Sequence, residues 1–80
     1  MAKKATEIFR KNVREVLEAQ DITITELAER VGTSRPAISF ILSGVDGVGL
    51  DRADRIAKAL GFALSELLSP EFKKKLKQLT

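Results

Sequence analysis

Residues 23–44 (Thr-Ile-Thr-Glu-Leu-Ala-Glu-Arg-Val-Gly-Thr-Ser-Arg-Pro-Ala-Ile-Ser-Phe-Ile-Leu-Ser-Gly) constrain this 80-residue chain more than any other stretch. Thr23 followed three residues later by Glu26 is the signature of a capping box, so a helix is expected to start there. Leu27, Ala28 and Val31 give that helix an apolar stripe. Gly32 should end it, because the position just past a helix commonly needs a positive φ that glycine takes without steric cost. Ser34 is suited to cap a second helix, whose first turn tolerates Pro36 because no intrahelical N–H bond is lost there. Ile38 and Ile41 then face Leu27 and Val31, and small Ala28 leaves room for a close crossing. The stretch predicts two short helices joined by a tight turn.

These residues resemble the helix-turn-helix of the lambda repressor/Cro type of DNA-binding domain, also called the xenobiotic-response-element family. Ala28, Gly32, Ile38 and Ile41 stand where that motif places its small, turn and core residues. The later Ile56-Ala57-Lys58-Ala59-Leu60-Gly61 and Leu64-Ser65-Glu66-Leu67-Leu68 resemble the family's closing helices. The resemblance spans Phe9 to Leu68. It implies an all-α fold: a compact bundle of five to six short helices, with residues 6–69 as the DNA-binding domain, 1–5 as a flexible basic arm and 70–80 as a basic helix or tail.

Composition narrows the chemistry. Eighty residues suffice for one core, and with four aromatics it must be mostly aliphatic. Cysteine and histidine are both absent, which removes disulfides, the common zinc sites and the usual Ser-His or Cys-His nucleophile pairs. No phosphate loop and no carboxylate pair set in a pocket stands out either, so an enzyme is not expected, nor a cofactor. No apolar run reaches the length of a membrane span, and the two N-terminal lysines have no apolar stretch behind them. The default expectation is a cytoplasmic protein without a membrane partner.

The formal charge of +3 is unevenly placed. Residues 1–14 hold Lys3, Lys4, Arg10, Lys11 and Arg14 against Glu7, and the tail from Glu71 holds four lysines. The basic ends suit DNA phosphate, or they are simply solvated surface.

Along the chain, Thr6 is expected to cap a first helix running to about Gln20, with Phe9, Val13, Val16 and Leu17 on its apolar face. Asp21 and a buried Ile22 link it to the capped pair. Ser43 to Gly49 reads as a glycine-rich loop that Val45 and Val48 anchor. Leu50, Ala53, Ile56, Ala57 and Leu60 share one face of the next helix, which Gly61 stops. Leu64 to Leu68 forms a short helix that closes the core. Phe72, Leu76 and Leu79 fall on one side of a last helix, which either docks on its own domain, contacts a second copy, or stays a free basic tail.

On the second helix of the pair, Ala37, Ile38 and Ile41 turn inward, so Arg35, Pro36, Ser39, Phe40 and Ser43 point outward. By the resemblance this is the recognition helix, with Arg35, Pro36, Ser39 and Phe40 at the base-reading positions. Arg35 can donate two hydrogen bonds to O6 and N7 of guanine, a pairing worth about 1–3 kcal/mol against a wrong base. Phe40 suits thymine methyls, a contact within the protein, or a docking point for another protein. Thr23, Ser34, Ser43, Lys3, Lys4, Arg10 and Arg14 are the expected backbone contacts. Three positions depart from the family pattern. Ile24 replaces a Gln that usually bonds phosphate, and the loop after Ser43 lacks basic residues. Leu17 and Leu42 replace an Arg–Glu pair, a swap that is sensible because both partners become apolar together. The function implied is a small phage- or prokaryotic-type repressor that binds duplex DNA as a homodimer. The alternative is an antitoxin or adaptor that meets a protein partner such as a toxin through the same scaffold.

Overall fold

The capped pair predicted at the centre of the chain forms as expected, and the described residues form four further helices around a common core with it. In the computed structural model, which describes residues 3–44 and 48–79, the order is α1 (Lys3–Ala19), α2 (Ile24–Val31), α3 (Arg35–Ser43), α4 (Leu50–Leu60), α5 (Leu64–Leu67) and α6 (Phe72–Leu79). No strand occurs among the described residues, and the fold is all-α. The side chains of Lys3, Lys4, Lys75, Lys77 and Leu79, and the whole of Val45, lie outside the described residues.

Local chemistry sets the boundaries of the central pair. Thr23 Oγ1 accepts from the Glu26 N–H at 3.1 Å while Glu26 Oε1 accepts from the Thr23 N–H at 3.1 Å. At the other end of α2, Gly32 takes φ +84°, and the N–H groups of Gly32 and Thr33 both donate to the Ala28 carbonyl. Ser34 caps α3, its Oγ accepting from the Ala37 N–H at 3.3 Å, with Pro36 in the first turn. Gly61 ends α4 at φ +83°. The turn after α1 is closed by Asp21, a non-glycine residue at φ +53°, with the Ile22 N–H donating to the Leu17 carbonyl.

The bond from the Thr23 N–H, helped by the Thr23 hydroxyl and the charge of Arg30, holds the Glu26 carboxyl below its ordinary pKa. A lowered carboxylate pKa adds stability that is present above the ordinary value and lost as pH falls through the native one. Glu26→Gln keeps an acceptor but no charge. The melting temperature of the wild type should therefore exceed that of Glu26→Gln at neutral pH, and the gap should close on titration to strongly acidic pH. A gap independent of pH would contradict this.

Helix α2 packs against α3 and α4, and α1 against α3, α5 and α6. One core joins them all: Phe9, Val13 and Val16 of α1, Leu27 and Ala28 of α2, Ile38, Ile41 and Leu42 of α3, Ala53, Ile56, Ala57 and Leu60 of α4, Leu67 of α5, and Phe72 and Leu76 of α6. Ile22 is buried as expected. Phe72 also meets the Phe62 ring edge-on, with centroids 5.1 Å apart at 78°. The last helix therefore docks on its own domain, and the radius of gyration of 11.5 Å is what a fully compacted chain of this length gives.

Three expectations are corrected. Thr6 does not cap the first helix; it lies buried inside α1, which already runs from Lys3. Lys3, Lys4 and Ala5 are good helix formers and nothing before Thr6 stops the helix, so residues 3–5 continue it. Leu50 shares a helical face with the α4 core residues yet is 61% exposed. It occupies the first helical position, one turn before Ala53, and Val48 just ahead of the Gly49 cap is buried instead. Ala37 is only half-buried, unlike Ile38 and Ile41.

Candidate nucleic-acid interface

The expected reading surface is the outer side of α3. Ser34 caps the helix and Gly44, at φ +86°, ends it, so its nine residues have fixed ends. Inward Ile38, Ile41 and Leu42 set the rotation. The opposite side then presents Pro36, exposed, Ser39, half-buried, and Phe40, 49% exposed, while Arg35, one turn before Ile38, is exposed at the first position of the helix. No ion pair or hydrogen bond engages the Arg35 guanidinium among the described residues, so its donors are available at the helix N-terminus. Phe40 is not a core residue: half of its surface meets solvent on a helix whose apolar side is already filled.

The expected backbone contacts fare differently from one another. Thr23 and Ser34 are exposed, and each hydroxyl oxygen accepts its cap bond; the Ser34 O–H proton is left for an outside acceptor, whereas the Thr23 hydroxyl also serves the Glu26 carboxylate. Ser43 is exposed at the end of α3, but its hydroxyl donates to the Phe40 carbonyl at 3.0 Å. Lys3 and Lys4 lie in the first turn of α1, their side chains outside the described residues. Arg10 and Arg14 turn toward the C-terminus of α3: Arg14 Nη2 donates to the Leu42 carbonyl, and the Arg10 guanidinium lies over Gly44.

Beside this surface runs an open groove of about 500 Å³ between the end of α1, the start of α2 and α3. Leu17, Ile22, Ile24 and Leu42 supply its apolar lining, and Ser39 and Ser43 its α3 side. Leu17 and Leu42 are both buried, as paired apolar replacements for an ion pair should be. Ile24 brings a half-buried hydrocarbon to a place where the family pattern has an amide.

Two contacts made by α1 escaped the sequence reading, the amide bonds of Asn12 and the bond from Arg14 to Leu42. Asn12 is 4% exposed and its Nδ2 donates to the Leu67 and Ser69 carbonyls, both at 2.8 Å. The available signal was a polar amide three residues after Phe9 and four before Val16, within the apolar stripe of α1. The turning of Arg14 onto Leu42 had a weaker one: Arg10 and Arg14 stand one turn apart on α1, while α3 has no basic residue in its own last turn.

Comparison with known proteins agrees with this geometry. The profile of the helix-turn-helix family matches residues 13–67, from the middle of α1 through α5. No curated protein and no solved structure matches the chain. With that match covering well over half of its length, the chain belongs to the helix-turn-helix family of the lambda repressor and Cro type, and is a DNA-binding regulator of that family.

Proposed function

We propose that this regulator is a small repressor that binds an operator as a homodimer, with α3 in the major groove of each half-site. Arg35 supplies the strongest base contact, with Pro36, Ser39 and Phe40 completing the reading surface. Thr23, Ser34 and Ser43 face the sugar-phosphate strands, and Lys3, Lys4 and Arg10 add positive charge from α1. The observation that carries this reading is the unpaired Arg35 guanidinium at the exposed, capped start of α3. A lone domain of this size covers little DNA, so two copies on half-sites about 34 Å apart are needed for specific affinity. Bound there, the dimer blocks polymerase sterically.

The test is selection of binding sites from random duplexes at two salt concentrations, with wild type and Arg35→Ala. An inverted repeat should emerge for the wild type. In Arg35→Ala one base pair per half-site should lose its preference, by about 1–3 kcal/mol, while the rest of the motif persists. No enriched motif at either salt concentration would refute the reading.

A second reading, an antitoxin or protein-interaction adaptor on the same scaffold, draws support from Phe40 and Ile24. Both bring apolar surface to the side where strand contacts should be polar. It predicts a protein complex that survives high salt, is lost in Phe40→Ala and is kept in Arg35→Ala.

A further inference from the structure

The C-terminal end of α3 is held from outside the helix. Gly44 directs its N–H to the carbonyls of Phe40 and Ile41. The Leu42 carbonyl belongs to the last turn, where no intrahelical N–H remains to bond it. Its donor is Arg14 Nη2, 28 residues upstream on α1. One turn earlier on α1, Arg10 sets its guanidinium over Gly44, with Nη2 3.5 Å from where a Cβ would stand. Two cations from another helix thus sit at the negative end of the α3 dipole, which has no basic residue in its own last turn. The acidic groups near them on α1 are Glu7, Glu15 and Glu18. None of these forms an ion pair with either arginine among the described residues.

We propose that Arg14, seconded by Arg10, is a positioning residue for the recognition helix rather than a DNA phosphate contact. The side-chain pair Leu17–Leu42 leaves α1 and α3 without a polar tie at that level, and Arg14 supplies one to the main chain. A main-chain acceptor is independent of the residue at position 42. It fixes where the last turn of α3 lies, and with it the placement of Ser39, Phe40 and Ser43. Swinging Arg14 out to phosphate would leave the Leu42 carbonyl without its donor, so the two roles compete. This assignment rests on α3 being the DNA-reading helix.

The test uses the full chain as wild type, Arg14→Gln and Arg14→Lys. Amide exchange is measured without DNA, and affinity is measured for the selected operator and an unrelated duplex across a salt series. For Arg14→Gln, exchange at Ser43 and Gly44 should accelerate about fivefold or more while the first turn of α3 and the middle of α1 keep their rates. Operator affinity should fall about tenfold, affinity for the unrelated duplex should hold, and the salt slope should not change. Arg14→Lys should recover most of the loss, because an ammonium can also reach a carbonyl. A salt slope lower by about 0.9, with both duplexes weakened together, would make Arg14 a phosphate contact and overturn the proposal. Uniform acceleration of exchange through all helices, without rescue by lysine, would overturn it equally. If the wild type bound no duplex at all, the reading of α3 would fail separately. The exchange data alone would then decide whether Arg14 holds that helix end.

Discussion

Phe72→Ala should destabilise the domain by about 3–5 kcal/mol, the usual loss for deleting a fully buried phenyl ring. The ring is 1% exposed and stands edge-on to Phe62 at 5.1 Å, an arrangement that adds about 0.5–1.5 kcal/mol beyond the area buried. Leu76, one turn on, is also buried, and Lys73 reaches Glu15 of α1 at 3.8 Å. The carboxylate is partly shielded but the ammonium is well exposed, so that pair contributes little and the ring is what holds α6. An 80-residue domain has a total stability of only about 4–12 kcal/mol. Loss of one ring at the chain's end should therefore move the urea midpoint of the whole domain, as a single transition with an unchanged slope. If Phe72→Ala shifted the free energy by less than about 0.5 kcal/mol, as a surface substitution does, α6 would not belong to the common core.

What the sequence disclosed and what it withheld divide along a physical line. Thr23, Glu26, Gly32, Ser34 and Gly61 act on backbone groups within five residues of themselves, so their types and spacing were enough to read the caps and turns of α2, α3 and α4. The rotation of α3 was legible for a similar reason. Once Ile38 and Ile41 are inward, Pro36 and Phe40 face out by helical geometry alone, whereas Arg35, one turn before Ile38, is exposed because it is the first residue of the helix. The Leu17–Leu42 exchange was readable only through family resemblance, since nothing in either local stretch announces its partner. Leu50 and Thr6 were misread because helical periodicity says which face a residue occupies but not where along its length the helix meets the core. The bond from Arg14 to the Leu42 carbonyl was not legible because a carbonyl is invisible as a partner: any residue at position 42 would offer it. Docking of α6 was open because its apolar spacing equally suits the same domain, a second copy or a partner. Only the place left beside Phe62 and α1 decides among them.

Asn12 lies at the far end of that line, and its replacement is the sharpest test of the packing of α1 against the end of α5. Its Nδ2 must be the atom that faces Leu67 and Ser69, since both partners are carbonyl oxygens and accept only. The Leu67 carbonyl is in the last turn of α5, where helical partners run out, and the amide satisfies it in a place closed to water. Asn12→Leu keeps the size and removes both donors. The Leu67 carbonyl is then buried without a partner, at about 1–3 kcal/mol, while Ser69, only half-buried, can turn to water. Asn12→Asp should be worse at neutral pH, because it sets a buried carboxylate against two carbonyl dipoles and loses both bonds. Burial and those carbonyls favour the protonated acid, so the native pKa of the new aspartate is raised above its unfolded value. A group raised in this way stabilises the native state most below the unfolded pKa, and that contribution is lost as pH rises through the native one. In thermal unfolding from acid to neutral pH, Asn12→Asp should thus start near Asn12→Leu, where its protonated O–H can still donate to one carbonyl, and fall below it as the carboxyl ionises. Parallel curves for the two variants would mean that the amide is not pressed against those carbonyls. The anchoring of α1 on α5 would then have to come from Phe9, Val13 and Leu67 alone.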